Sequence, residues 1–574
     1  MKNKNINRSF FSSPLGRLGG ALLFLVPFVS LAQTKESLPE MEFEHTKPSD
    51  RATKNAIKIS ENPEVVDDTL VISPLNYTIL KKGEKPEYKA EKIKPAKIVD
   101  EPLKKLYKHY AKVGFGNYTS PLVEFSMSNL RSKDYAGSVY LKHYSMNGKL
   151  KEVGPPQFSD NELVLDGKKF FKDWTLNGNL AYKCNVVHHY GFDVDSFPSD
   201  SFPAFSKSAT KQRFSFVGTS FDLTSSELRP SKWLQKIGID YYNFQDKFGT
   251  TENKVGVMAN LVKSVSKKSD VLIDAGVDYY NEKMTVHGGN NFIPRLRAAF
   301  ATNGKTWKLK VGIATALDVT DSLTKGYIYP QLDFQYSLVE NIFYFYAGAN
   351  GDLQRNSFRS LTSENPFIAS DITMKNSNQQ AKLFAGLRGA FSSKMTFNAF
   401  VSQSFIDNMP YYVNQVDTGS VAGNVFNVVY DKTSLLTVGG DLGFQAGEKL
   451  MLNASAAYNF YGMDKQLQPW HRPAITGKFT GKYNLKDKII ISTDVYYLGP
   501  QFGRTFTQDT LGVIVYDDVK IKHLIDVNLG VEYRYNQRFS AFVNFNNIAS
   551  YRYYRWNQYP SQRFNFMVGL TANF

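Results

Sequence analysis

RFNFMVGLTANF, residues 563–574, closes the chain and decides how the rest is read. Soluble chains usually finish on polar, frayed residues, but this one finishes on an alternation. Phe564, Phe566, Val568, Leu570, Ala572 and Phe574 fall on one side, and Arg563, Asn565, Met567, Gly569, Thr571 and Asn573 on the other. Successive side chains of a strand point to opposite faces, so this is a strand with one apolar and one mostly polar face. What lies against the apolar face is either a soluble core or lipid.

The period of two recurs from Tyr107 onward. Val271, Ile273, Ala275, Val277 and Tyr279 oppose Asp274, Gly276 and Asp278, and Ile525, Val527, Leu529, Val531 and Tyr533 oppose Asp526, Asn528, Gly530, Glu532 and Arg534. The connections decide what these strands build. Short polar turns such as Lys172-Asp173, Asn303-Gly304-Lys305 and Lys486-Asp487-Lys488 alternate with longer segments at 191–206, 354–375, 407–432 and 502–519, which read as irregular loops. Short turns at one end and long loops at the other are the pattern of an outer-membrane barrel, and a soluble sandwich gives no reason for it. Counting runs predicts about 22 strands, an even number with both chain ends periplasmic. The fold class is therefore all-β, a transmembrane antiparallel β-barrel over residues 107–574, with lipid against the apolar face. The polar faces would line a wet lumen.

The remainder of the chain agrees with this compartment. Of 574 residues, 42% are hydrophobic, and the longest apolar run is residues 21–32, too short for a spanning helix of about 20 residues. Lys2, Lys4, Arg8 and Arg17 precede that run, and its last three residues, Ser30-Leu31-Ala32, form a small-x-small cleavage site after an h-region at 21–29, so residues 1–32 read as a signal peptide. Cys184 is the only cysteine, which leaves no intramolecular disulfide. The net charge of +16 would suggest nucleic acid, but export argues against it, and much of the excess sits in residues 81–112. Residues 33–106 are charged, dotted with proline and without a sustained period, and read as an extended periplasmic arm. That basic arm suits either a solvated linker or contact with anionic lipid, a periplasmic protein or a lipoprotein.

The last hairpin resembles the end of TonB-dependent receptor barrels, with Asn544, Asn546, Asn547, Tyr551, Trp556, Tyr559-Pro560, Arg563, Phe564, Gly569-Leu570 and Phe574 in matching places. The signal ending and the Lys- and Tyr-rich strands resemble Bacteroidota members of that family. The resemblance implies a Gram-negative outer-membrane location, solute transport, and a terminal strand read by the barrel-assembly machinery through Phe564, Phe566 and Phe574. It also implies a folded plug before the first strand, and residues 33–106 are too few and lack its glycine pattern. Asp68-Thr69-Leu70-Val71-Ile72 resembles a TonB box, the segment offered to TonB by β-augmentation. Without a plug behind it, the generic reading of a β-prone stretch is preferred, and energising by TonB stays open.

Few residues suggest chemistry. His188-His189 lies before Asp193, Asp195 and Asp200, but the spacing of convergent metal ligands is missing, so the pair reads as a polar loop rim. Tyr551, Tyr553, Tyr554, Trp556 and Tyr559 form an aromatic loop with Arg552 and Arg555. Such a loop could stack on a ligand ring, and an interfacial aromatic girdle accounts for it as well. GxSxG, HExxH and paired CxxC motifs are absent from the sequence. The expectations are no enzyme, no cofactor and no metal. The leading function is passage of a solute across the outer membrane. The alternative is a non-transport scaffold or accessory subunit of an outer-membrane assembly or secretion complex.

Overall fold

The computed structural model describes residues 106–129, 132–196, 205–226, 233–415, 422–508, 511 and 513–574. The signal-like segment, the arm and the stretch Asp68-Thr69-Leu70-Val71-Ile72 lie outside the described residues. Twenty-two strands form one antiparallel sheet that closes on itself. The closure is the pairing of the first strand, His109–Gly116, with both Ser120–Ser128 and the last strand, Asn565–Asn573. The strand number matches the count made from runs and turns.

At the seam, His109 N–H donates to the Phe574 carbonyl at 2.8 Å and Phe574 N–H returns to the His109 carbonyl at 3.0 Å. The two rings stack at 5.1 Å. Gly114 and Gly569 face each other across this ladder. On the lumen side Phe542, Met567 and Leu122 form a small buried cluster. A Cβ on Gly114 would meet Met567 Sδ and the Phe542 ring, both at 3.1 Å, and one on Gly569 would overlap the Val113 carbonyl and the same ring. The seam glycines are there because Phe542 lies across them.

Outside, Val113, Phe115, Val277, Tyr279, Phe566, Val568 and Leu570 are exposed along the strands, as lipid-facing positions must be. The short turns are tight. Lys486 and Asp487 both adopt left-handed φ, 52° and 56°, as a primed hairpin turn requires.

The strands differ greatly in length. Those flanking the seam have 8 or 9 residues, whereas Met395–Asn414 and Phe426–Ala446 have 20 and 21. A tilted crossing needs only about 9–11 residues, so these two rise well beyond the bilayer. Three segments read as irregular loops are therefore corrected. Most of 407–432 continues these two strands. Residues 502–519 lie largely in a separate hairpin, Gln501–Gln508 with Ile514–Ile521. The 354–375 segment contains a helix, α1, Phe358–Glu364. Beyond the membrane, neighbouring strands still satisfy one another's backbone groups, so pairing persists where the apolar alternation has ended.

Candidate functional site

The helix α1 starts because Ser357 caps it, its hydroxyl accepting from Ser360 N–H at 3.2 Å. It ends at Asn365, whose N–H returns to the Leu361 carbonyl at 2.9 Å. Phe358, Leu361 and Thr362 share one face and are buried. Among the described residues that face meets no separate domain. It packs on the barrel's own inner wall, in a continuous cluster with Phe214, Tyr242, Phe244, Tyr280, Ile293 and Tyr329. Phe358 lies 5.8 Å from the Phe244 ring and 6.4 Å from Phe214. The same cluster takes in Ile368 and Ile372 from the loop, Tyr412, Phe426 and Val428 from the tall strands, and Trp556 and Tyr559 from the last loop. The long loops thus fold inward and fill the outer mouth.

Polar contacts anchor this closure. Arg355, at the root of the loop, is ion-paired with Glu282, and the two side chains are 8% and 6% exposed. Arg355 also donates to Asn376 Oδ1 at 2.9 Å and lies over the Tyr280 ring at 5.2 Å. Arg359 lies over the adjoining rings of Phe216 and Tyr242, at 4.1 and 4.7 Å. Glu252 holds the same corner, accepting from the Tyr242 hydroxyl at 2.6 Å. Farther along the loop, Asp371 accepts from the backbone N–H groups of Val286 and His287 at 2.8 and 3.1 Å.

On the opposite side the key residue is His471, fully buried between Phe426 and Trp556 at ring distances of 5.2 and 5.3 Å. Its Nδ1–H donates to the Tyr412 carbonyl at 2.8 Å, and its Nε2 accepts from Asn557 N–H at 3.2 Å. Burial, with Arg555 and Arg472 nearby, pushes its pKa down to about 3, so the ring is neutral. Arg472 is ion-paired with Glu364 at the end of α1.

Below the mouth the lumen wall is different. Lys254 bridges Asp240 and Asp278 at 2.6 and 2.9 Å, and Lys183 meets Glu162 at 2.7 Å. A cavity of about 850 Å³ near the short turns includes Lys308, Arg388, Asp441 and Lys478 in its wall. Here the expectation of a polar inner face holds.

The residues singled out from sequence fall into several places. Trp556 and Tyr559 are buried inside the closure, where Tyr559 stacks on Phe367 at 3.7 Å. They form neither a lipid girdle nor an open stacking platform, because the folded-in loops cover both faces. Tyr553 is half-buried, and Tyr551 and Tyr554 are exposed. Phe564 and Phe566 point outward and Phe574 sits at the seam. His188 and His189 are buried rather than on a solvated rim, and burial drives the His189 pKa down to about 4. Among the described residues no group of His, Cys, Asp and Glu could hold a metal ion.

The inner aromatic collar was missed. Its signal is the tandem pairs Tyr241-Tyr242 and Tyr279-Tyr280, in which the first ring is exposed outward and the second buried inward. At these points the supposedly polar face turns aromatic.

This arrangement defines a transmembrane β-barrel of the outer-membrane type, closed at its outer mouth by its own loops. No family model matches the sequence and no curated protein matches it. Solved structures do share the fold. The siderophore receptor PirA from Acinetobacter baumannii superposes with a TM-score of 0.63 at 11% identity, over 82% of this chain and 81% of that one. The FrpB iron transporter from Neisseria meningitidis gives 0.62 at 10%, over 82% and 83%. The pyoverdine outer membrane receptor FpvA from Pseudomonas aeruginosa gives 0.60 at 10%, over 83% and 79%. The barrel shares its fold with these outer-membrane receptors and transporters.

Proposed function

We propose that this barrel passes a solute across the outer membrane, as the iron and siderophore receptors it resembles in fold do, and that its loops act as the gate. The observation that carries the gate is the buried pair of Arg355 and Glu282 beneath α1. It ties the root of the loop to the wall, while the wall of the lower lumen is lined by polar side chains. A 22-stranded barrel has room for a channel if nothing fills it. A link to TonB rests on Asp68-Thr69-Leu70-Val71-Ile72 alone.

Planar-bilayer recording on the purified full chain tests this. The intact protein is expected to be closed with rare openings, and a variant with residues 357–374 replaced by a short glycine linker to conduct continuously. Steady conductance from the intact protein, or silence from the excised one, would overturn the gate. The scaffold reading draws support from the mouth being packed like a protein core. It would be preferred if excision leaves the lumen silent while mild-detergent purification recovers a stoichiometric partner.

A further inference from the structure

Beneath the closed mouth a second cavity, of about 410 Å³, lies between the strand ends carrying Asp160 and His188 on one side and Asp526 on the other. Phe367 of the inward loop, Tyr190 and Tyr553 complete it. Its size is in the range of small-molecule sites. Amides and a hydroxyl, from Gln157, Asn546, Asn547, Ser561, Gln562 and Asn565, also line it, but two buried acceptors stand out. His188 is 4% exposed, and its Nδ1 lies 2.8 Å from the Gln157 carbonyl, so Nδ1 carries the proton and Nε2 is a bare acceptor. That Nε2 is buried with no partner. The Tyr553 hydroxyl is close enough to the Asp526 carboxylate to feel its charge, but Asp526 Oδ1 is likewise buried without a partner. Asp160 has one oxygen engaged by Asn185 at 2.7 Å.

Two carboxylates therefore line the cavity, and no lysine or arginine does among the described residues. Lys207, Lys211 and Lys247 act on His188 from outside it. Arg552, the nearby arginine, is tied to Glu152 at 3.0 Å and to the Lys151 carbonyl at 2.9 Å. Buried acceptors without donors are unfavourable, and uncompensated carboxylates favour a cation. A neutral hydroxyl would supply a donor but leave the charge unmet. A metal ion would need a third converging ligand, which the described residues do not provide. The rings of Tyr190 and Phe367, in edge contact at 5.9 Å, add faces that attract an organic cation.

We propose that the cavity between His188 and Asp526 binds a small protonated organic amine, the ammonium meeting the carboxylate and imidazole acceptors and the body lying against the aromatic rings. The ligand's status as cargo rests on the solute-passing reading above; the binding itself does not.

Isothermal titration calorimetry on the full chain in detergent at neutral pH tests it with two matched pairs: glucosamine against glucose, and tyramine against tyrosol. At least one amine should bind saturably, and at least about tenfold more tightly than its neutral twin. Asp526→Asn should weaken that binding by about the same factor while the barrel stays heat-modifiable on gels. If that variant does not fold, His188→Gln replaces it with the same expectation. Equal binding of a neutral twin, no saturable heat from either amine, or unchanged affinity in a folded variant would overturn the site. Amine binding with a silent loop-excised barrel would sustain the site and remove the transport reading. A conducting barrel that ignores amines would do the reverse.

Discussion

The strand Ser269–Lys283 contrasts the two halves of the lumen along one face. Near its short-turn end, Asp274 and Asp278 meet Asn260, Arg295 and Lys254 in a polar wall. Farther up, on the same face, Tyr280 is buried in the aromatic cluster and Glu282 is covered by Arg355. Parity alone does not distinguish these positions. The difference is what the described residues place opposite: other polar wall side chains below, a folded loop above. Ion pairs facing water are worth little because solvent screens them. Under the loop the same kind of pair is desolvated, and losing one partner leaves an uncompensated charge.

Substitutions should separate the halves in that order. Arg355→Met strands Glu282 and should destabilise the closure by about 3–5 kcal/mol, read as a large rise in opening frequency in planar bilayers. Phe358→Ala empties the middle of the cluster and should cost about 3–5 kcal/mol at a fully packed site, read as earlier protease cleavage of the loop. An unchanged record for both would mean the closure is held elsewhere.

Acid should act on the upper half as well. His471 is neutral in the closed mouth, with its pKa near 3, and His189 near 4, while a released histidine titrates near 6.5. The open state therefore takes up protons that the closed state cannot. Closure is favoured above about pH 6.5 and weakens as pH falls toward these low values. Openings should be more frequent at pH 5 than at pH 7.5, and the opposite trend would contradict the assignment. At the seam, Phe574→Ser removes the ring stacked on His109 and the aromatic end that barrel-assembly machinery would read; outer-membrane yield should drop severalfold on blots of membrane fractions. Smallest is Lys236→Met in the lower wall, whose partner Asp222 lies 3.6 Å away. It should change thermal stability by less than about 1 kcal/mol. A larger effect there would erase the distinction between the halves.

The barrel was legible because lipid imposes one rule on every strand. The outward face must be apolar along the whole crossing and each end must turn, so alternation and turn spacing repeat locally and can be counted. Phe564, Phe566, Val568 and Leu570 lie outward as that rule requires. The closure was not legible for the complementary reason. Tyr242, Phe244 and Tyr280 are separated from Phe358 and Trp556 by long stretches of chain, and their partners come from loops with no period of their own. Trp556 and Tyr559 therefore looked like a surface loop, although both rings are in the core of the mouth.

From its own residues, then, the chain determined a 22-stranded barrel with its lipid face and its turns, since each depends on neighbours two residues apart. Only the tertiary structure decided that the lumen is filled from above, that His188 and Asp526 share a cavity, and that Arg355 sits on Glu282. Those facts depend on which side chains the closed sheet brings face to face across its interior.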